Sequence, residues 1–291
     1  MSGGQTHFKR TRIAPTPSGF LHLGNVMSFV ITAGLAHRAG AKILLRIDDM
    51  DQDRAEGKYI QDIFDTLNFL EISWDEGPRD AGDFERNFTQ VRRRDLYDAY
   101  LKKLYENGLV YACNCSRRQL ATTGYVCHCS DRHFDPDKKG ISWRLRTDND
   151  KPIITRCPDA DLINTLPPEM HNFVVKRKDD LPAYQLTSVA DDLFYDIDLI
   201  VRGNDLRHST LAQQQLASFL GEAEFNHTVF YHHPLLTAPG GAKLSKSAGA
   251  TSIRYMRENG RTPADIFTAI ATLNGFEGRV ATWQQLAEAL V

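Results

Sequence analysis

The stretch from Arg10 to Ile47 constrains the fold more than any other part of this chain. Residues Arg10–Ala14 read as a short buried strand, and Pro15-Thr16-Pro17-Ser18-Gly19 breaks it. A helix is predicted from about Asn25 to Arg38, closed by Gly40, and Lys42–Ile47 reads as the next strand. Two strands joined by a helix need a crossover, and a crossover makes them parallel. Residues 56–70 continue the alternation with an amphipathic helix whose Ile60, Ile63, Phe64, Leu67 and Leu70 share one face. A second long helix is predicted over 88–107, with Tyr97, Tyr100, Leu101, Leu104 and Tyr105 as its core stripe and Gly108 as its end. The fold class is α/β with a parallel sheet. In such sheets ligands collect at the carboxyl ends of strands, where the strand order switches. His22 and Asp48 both follow predicted strands and so lie at that edge.

The texture then changes. The stretch 111–170 is rich in cysteines and turns, with strand-like pieces such as Ile141–Leu145, and reads as an insertion between two halves of the sheet domain. The predicted segmentation is 1–110 (first half), 111–170 (inserted, metal-bearing), 171–240 (second half) and 241–291 (a lysine loop and a helical end). The second half should return near His171–Lys176, with a helix near Ala183–Asp192 and a strand at Asp198–Arg202. A helix over Leu211–Leu220 and a strand at Val229–His232 should follow. At 291 residues the chain exceeds the usual single-domain size. No run of about 18 apolar residues is present, so no membrane span is expected. The first ten residues lack the apolar core of a secretory signal, so a cytoplasmic location is expected. Net charge is −2, which does not advertise a nucleic-acid partner, although a local basic face is enough for one. Short basic clusters occur at Arg92–Arg94, Arg117–Arg118 and Lys176–Lys178, and each taken alone reads as a solvated face.

Two short motifs carry phosphate chemistry. His22-Leu23-Gly24-Asn25 sits at the start of a predicted helix, where unpaired N–H groups and partial positive charge favour phosphate. Gly24 lets a ligand approach the backbone, and His22 can donate a hydrogen bond as phosphate charge builds. For a lone histidine, capping or core packing would be the alternative. Lys243-Leu244-Ser245-Lys246-Ser247 is flanked by Gly240-Gly241 and Gly249. Two ammonium groups there can neutralise the triphosphate of ATP and help pyrophosphate leave, which fits building an adenylate. Five cysteines are present, and four of them form Cys113-Asn-Cys115 and Cys127-His-Cys129. Two Cys-x-Cys pairs suit a tetrahedral zinc. Cys157 stands alone.

Together these motifs resemble the class I aminoacyl-tRNA synthetases of the glutamyl group. His-Leu-Gly-Asn is similar to that class's HIGH signature and Lys-Leu-Ser-Lys-Ser to its KMSKS signature. The match continues through Leu45–Asp51, Tyr184–Leu186, Asp191-Asp192 and Val201–Leu206, in order along the chain. The resemblance implies a Rossmann-type catalytic domain, ATP with Mg2+, and activation of glutamate as glutamyl-AMP. It implies His22, Asn25, Lys243 and Lys246 as catalytic residues. It implies Arg12, Ala14, Thr16, Asp48, Tyr184 and Arg202 for glutamate, and His22, Gly24, Asn25, Gly203, Asp205 and Lys246 for ATP.

Two arginines and one carboxylate sum to +1, which balances the −1 of free glutamate. Asp48 is one methylene shorter than the glutamate most bacterial members carry, and Asn25 replaces the second histidine of HIGH.

The stretch after Ser247 is too short for an independent anticodon-binding domain. The chain is in this respect similar to the truncated glutamyl-queuosine branch of the group, which implies esterification of glutamate to queuosine in the anticodon of tRNA(Asp). That branch carries Cys-x-Cys followed by Tyr-x-x-x-Cys, so Cys113, Cys115 and Cys129 are Zn2+ ligands on either pattern, and the fourth is Cys127 or Tyr125. Arg117, Arg118 and Arg132 around the metal module could meet tRNA phosphates. A monomer without a membrane partner is expected. The rival functions are charging of tRNA(Glu) at its 3′ end and a catalytically silent RNA-binding protein.

Overall fold

The structure is a computed structural model that describes residues 7–120, 122–123, 127–132, 135, 138–237 and 252–291, the side chain of Arg117 aside. In chain order the main elements are β1 (Arg10–Ile13), α1 (Leu23–Ala39), β2 (Lys42–Leu45), α2 (Gly57–Phe69), α3 (Arg94–Glu106), β3 (Val110–Cys113), β4 (Ser142–Leu145), β5 (Ile153–Thr155) and β6 (Leu162–Asn164). They continue with β7 (Val174–Lys176), α4 (Tyr184–Phe194), β8 (Leu199–Gly203), α5 (Arg207–Leu220), β9 (Val229–His233), α6 (Ile253–Glu258), α7 (Pro263–Leu273) and α8 (Trp283–Leu290). The chain divides into two compact units. One is Met1–Arg92, Ile197–Asp205 and Phe230–Val291; the other is Arg93–Asp196 and Leu206–Val229.

The first unit holds a four-stranded sheet in the order β2-β1-β8-β9, with β1 parallel to both β2 and β8. The chain leaves β1, crosses through α1 to β2 on one side, and later places β8 on the other side of β1. The strand order therefore switches between β1 and β8, which is where a ligand crevice belongs in such a sheet. The predicted strand–helix–strand unit is present, and Gly40 caps α1 at φ 66°. Helix α1 is apolar nearly all round: Val26, Met27, Phe29, Val30, Ile31, Ala33 and Ala36 are all buried. Such a helix must be covered on more than one side. It packs on β1 and β8 and is also covered by α8. The approach to α8 is close, since a Cβ built on Gly34 would lie 2.6 Å from the Cβ of Ala287. Helix α2 buries the predicted stripe of Ile60, Ile63, Phe64 and Leu67, with Leu70 just beyond its end.

The second unit holds the antiparallel sheet β3-β4-β7 and the hairpin β5–β6. Strand β7 pairs with β4, so the segment expected to rejoin the parallel sheet near His171–Lys176 belongs to the antiparallel one. Helix α3 begins at Arg94, later than the pattern predicts. A π-helical turn (Phe84–Phe88) and a 3-10 turn (Gln90–Arg93) precede it, separated by Thr89 in an extended conformation. The reason lies in Arg93, which is buried and makes a two-pronged pair with Asp191 of α4, at 2.7 and 3.0 Å. Tyr97 donates to the same carboxylate at 2.7 Å. Tyr97, Leu101 and Leu104 are core residues as expected. Tyr105 is instead half exposed and stacks on Trp143 of β4 at 5.3 Å. Among the described residues no helix is long and apolar enough to cross a membrane.

Candidate active site

The loop after β1 delivers His22 to the N-terminus of α1. His22 is the N-cap: its Nδ1 accepts from the Gly24 N–H at 3.1 Å, and Asn25 Oδ1 accepts from the His22 N–H at 3.1 Å. His22 and Asn25 thus cap the helix reciprocally. A neutral imidazole that accepts at Nδ1 carries its proton on Nε2. The cap therefore selects a tautomer that donates from Nε2. Gly24 also has a close neighbour of its own: a Cβ on it would meet His22 Cε1 at 3.0 Å and Nδ1 at 3.1 Å. The glycine makes room for the imidazole. Ala14 is half-buried and Thr16 exposed in the same loop, where Ser18 N–H donates to the Thr16 carbonyl.

Arg12 and Arg202 lie on the two strands that flank the switch point. Both are almost fully buried, at 6% and 3% exposure. Thr11 of β1 pairs with Leu199 of β8, so the two-residue alternation puts Arg12 and Arg202 on one face of the sheet. Arg12 Nη1 donates to the Val201 carbonyl at 3.3 Å, and the Arg202 guanidinium lies 5.5 Å from the Phe230 ring centre. Asp48 follows β2, and its backbone N–H donates to the Pro15 carbonyl at 3.0 Å. Its carboxylate accepts two bonds from Arg46, at 2.7 and 3.1 Å. Gly203 ends β8, and Asp205 is exposed in the single helical turn Asn204–Leu206 that follows. Arg12, Asp48, His22, Gly203 and Asp205 thus share the carboxyl edge of one sheet. Tyr184 belongs to the other unit, where it opens α4 and is 43% exposed. Lys243 and Lys246 lie outside the described residues. The chain is described again from Ser252, which forms an antiparallel bridge with His22.

In the second unit, Cys113, Cys115, Cys127 and Cys129 converge, with all four sulfurs within 4.8 Å of one another. The Sγ–Sγ distances are 3.8 Å (113–127), 3.6 Å (115–127) and 3.5 Å (115–129). A tetrahedral zinc with Zn–S of about 2.3 Å sets its sulfurs about 3.8 Å apart, so the cluster fits that metal. Tyr125 lies outside the described residues. His128 is 65% exposed. Burial pushes the Cys127 thiol up to about 12 and raises Cys113 as well. Beside them Tyr111 is pushed up to about 12, first by burial and then by the neighbouring thiols.

The family model described as tRNA synthetases class I (E and Q), catalytic domain, matches residues 9–281. The chain belongs to this family. Among its relatives, the glutamyl-Q tRNA(Asp) synthetase of Geobacter sulfurreducens is 36% identical over 257 residues, covering 85% of this chain and 78% of that protein. Glutamate–tRNA ligase 2 of Syntrophus aciditrophicus is 30% identical over 286 residues, covering 92% of this chain. This chain spans only 58% of that ligase's length. The crystal structure of glutamate–tRNA synthetase from Elizabethkingia anophelis has the same fold, with a TM-score of 0.75 at 20% identity, over 97% of this chain and 65% of that one.

For a member of the class I synthetase family, three site neighbours stand out that the sequence did not single out. Arg46 orients Asp48, and its signal was available: an arginine two positions before an aspartate, at a strand end. Phe230 underlies Arg202, and His232 stacks on Phe230 at 6.1 Å. Only the pairing of β8 with β9 brings these together, so local sequence carries no signal for them. Within two of the basic clusters, 92–94 and 176–178, single residues have structured partners. Arg93 is the buried partner of Asp191. Lys176 lies over the Trp143 ring at 4.5 Å and pairs with Asp180, while Lys178 donates to the Asn114 carbonyl between the first two cysteines. Arg118 and Arg132 are exposed.

Proposed function

We propose that this chain condenses glutamate with ATP to glutamyl-AMP and pyrophosphate, then transfers the glutamyl group to queuosine of tRNA(Asp). The observation that carries the reading is the buried pair Arg12 and Arg202 on one face at the switch between β1 and β8. Arginine binds carboxylate through paired parallel hydrogen bonds, so two guanidinium groups on one face at the switch point suit a substrate with two carboxylates. A guanidinium facing the side-chain carboxylate also disfavours glutamine, whose amide leaves charge unmatched.

Asp48 takes the substrate ammonium, with the Arg46 fork holding its carboxylate in place at the sheet edge. Tyr184, Ala14 and Thr16 are assigned to the glutamate site through the family resemblance. Gly203 and Asp205 are assigned in the same way to the nucleotide. The substrate carboxylate is the nucleophile and attacks the α-phosphorus directly. His22 Nε2–H and the α1 N-terminus stabilise the charge that builds on phosphate oxygens. Lys243 and Lys246 neutralise the departing pyrophosphate, and ATP is taken to enter as its Mg2+ complex. The four thiols hold Zn2+ as a structural ion, a closed four-sulfur site with no open coordination position for catalysis. Arg118 and Arg132 are offered as phosphate contacts for tRNA.

ATP–pyrophosphate exchange with glutamate, tRNA omitted, tests the first half. Exchange is expected, and Lys246→Ala should slow it by more than about tenfold with the fold intact. Equal rates in variant and parent would defeat that assignment. A second reading, charging of tRNA(Glu) at its 3′ end, is favoured by the relatives named glutamate–tRNA ligase. Mass analysis of nuclease fragments decides between the two, by locating glutamate on the anticodon or on the 3′ end.

A further inference from the structure

Asp62 lies on α2 among Ile60, Ile63 and Phe64 and is only 2% exposed. A carboxylate in such a place costs several kcal/mol by order of magnitude unless other groups compensate it. Two groups do so. Oδ2 accepts the backbone N–H of Leu21 at 3.1 Å. Oδ1 accepts no hydrogen bond among the described residues and faces Arg257 Nη2 at 3.8 Å.

Leu21 immediately precedes His22, and Arg257 is on α6. Other contacts tie the same three segments together. Ile253 N–H donates to the Leu21 carbonyl at 2.8 Å, and Ser252 bridges His22. The Arg254 guanidinium sits 4.8 Å from the Phe20 ring centre, and Phe20 meets Tyr59 of α2 edge-on at 4.9 Å.

We propose that Asp62 is a positioning residue for His22, holding the loop in front of α1 through the Leu21 amide and locking it to α6 through Arg257. The backbone bridge alone would align residues 21–22 with 252–253. The carboxylate adds a charge-dependent link, because only an ionised Asp62 attracts Arg257 while accepting from Leu21. Its consequence for catalysis rests on the adenylation reading; the link itself does not.

The groups facing Asp62 are Leu21 from the loop, Asp65 from α2, and Arg254 and Arg257 from α6. Burial raises its pKa above the usual carboxylate range. The Leu21 amide and the two arginines pull it back, and Asp65 pushes it up. Removing Arg257 therefore raises it further.

The test uses the full chain as parent, Asp62→Asn, Arg257→Gln and the double variant. The asparagine keeps an acceptor for Leu21 but loses the charge, and Arg257→Gln alters a partly exposed side chain. Hydrogen exchange of the peptide containing Leu21 and His22 should quicken by about fivefold in each single variant, and by no more in the double. The kcat for pyrophosphate exchange should fall by about fivefold, with KM for glutamate within about twofold. The acid limb of the kcat profile should move to higher pH in Arg257→Gln and disappear in Asp62→Asn. Unchanged amide exchange in both single variants, or losses that multiply in the double, overturns the proposal. A parent without glutamate-dependent exchange would sink the adenylation reading, and the Leu21 amide would still decide the link.

Discussion

Gly24 and His22 are two residues apart, and one makes the other usable. The imidazole lies against the Gly24 backbone so closely that any side chain there would press on it at 3.0 Å. Gly24→Ala should therefore displace the ring and remove the Nδ1 cap. The expected outcome is a kcat for pyrophosphate exchange at least about tenfold lower, with glutamate KM little changed. Loss of the cap should cost about 0.5–2 kcal/mol in thermal or denaturant unfolding. A wild-type kcat would show that the ring needs no such room. The Arg46–Asp48 pair supports a second test. Arg46→Met keeps the stem but removes the fork, so Asp48, the proposed partner of the substrate ammonium, loses its orientation. Glutamate KM should rise by about tenfold, with less effect on ATP. Arg12, Asp48 and Arg202 were legible as candidate glutamate ligands through the resemblance to the glutamyl group, and their charges, which sum to +1 against the −1 of glutamate, agree with it. Arg46 was equally local, two positions before Asp48, whereas Phe230 and His232 reach Arg202 only through the pairing of β8 with β9. That Gly24 also makes room for the His22 ring is not legible, because a motif written as letters does not say which atoms are near.

At the level of elements, the parallel β1–α1–β2 unit follows from local pattern, and the four thiols follow from spacing. The start of α3 does not. A helical stripe continues back to Phe88, but Arg93 must reach Asp191, nearly a hundred residues away, and that long-range pair sets where the regular helix begins. Removing the hydroxyl with Tyr97→Phe leaves Arg93 and the carboxylate paired. It should cost about 1–2 kcal/mol in denaturant unfolding without altering kcat. The cysteine cluster gives a pH prediction with a definite sign. Burial holds the Cys113 and Cys127 thiols above their ordinary range, so these two are protonated at neutral pH when no metal is bound. Zinc must expel those protons, and its apparent affinity falls as pH falls. The purified chain should contain about one zinc, measured by atomic emission, and lose it steeply as pH drops from about 7 to about 5. Cys127→Ser should shift that loss to higher pH. If Cys127→Ser titrates like the parent, Cys127 is not a ligand and the Tyr125 pattern is favoured.

Across the first unit, the end of α1 proposed to meet phosphate is placed by the seating of the whole helix. His22 caps its first turn, β1 and β8 support one side, and α8 covers another. The seating is tightest at Gly34, where no Cβ fits against Ala287. The helical pattern of α1 is local, but its contact with α8 is not, since nothing in Trp283–Leu290 names its partner. Gly34→Val tests whether that packing matters to the chemistry. The added side chain must push α8 away, which overpacking data put at about 1–3 kcal/mol, and Ala287→Gly in the same chain should return part of it. If α1 transmits the shift, kcat for pyrophosphate exchange should fall along with stability, and the second substitution should recover both. If stability falls and recovers while kcat stays constant, the helix is only a support, and the geometry of His22 is set by its local cap and the bridge to Ser252.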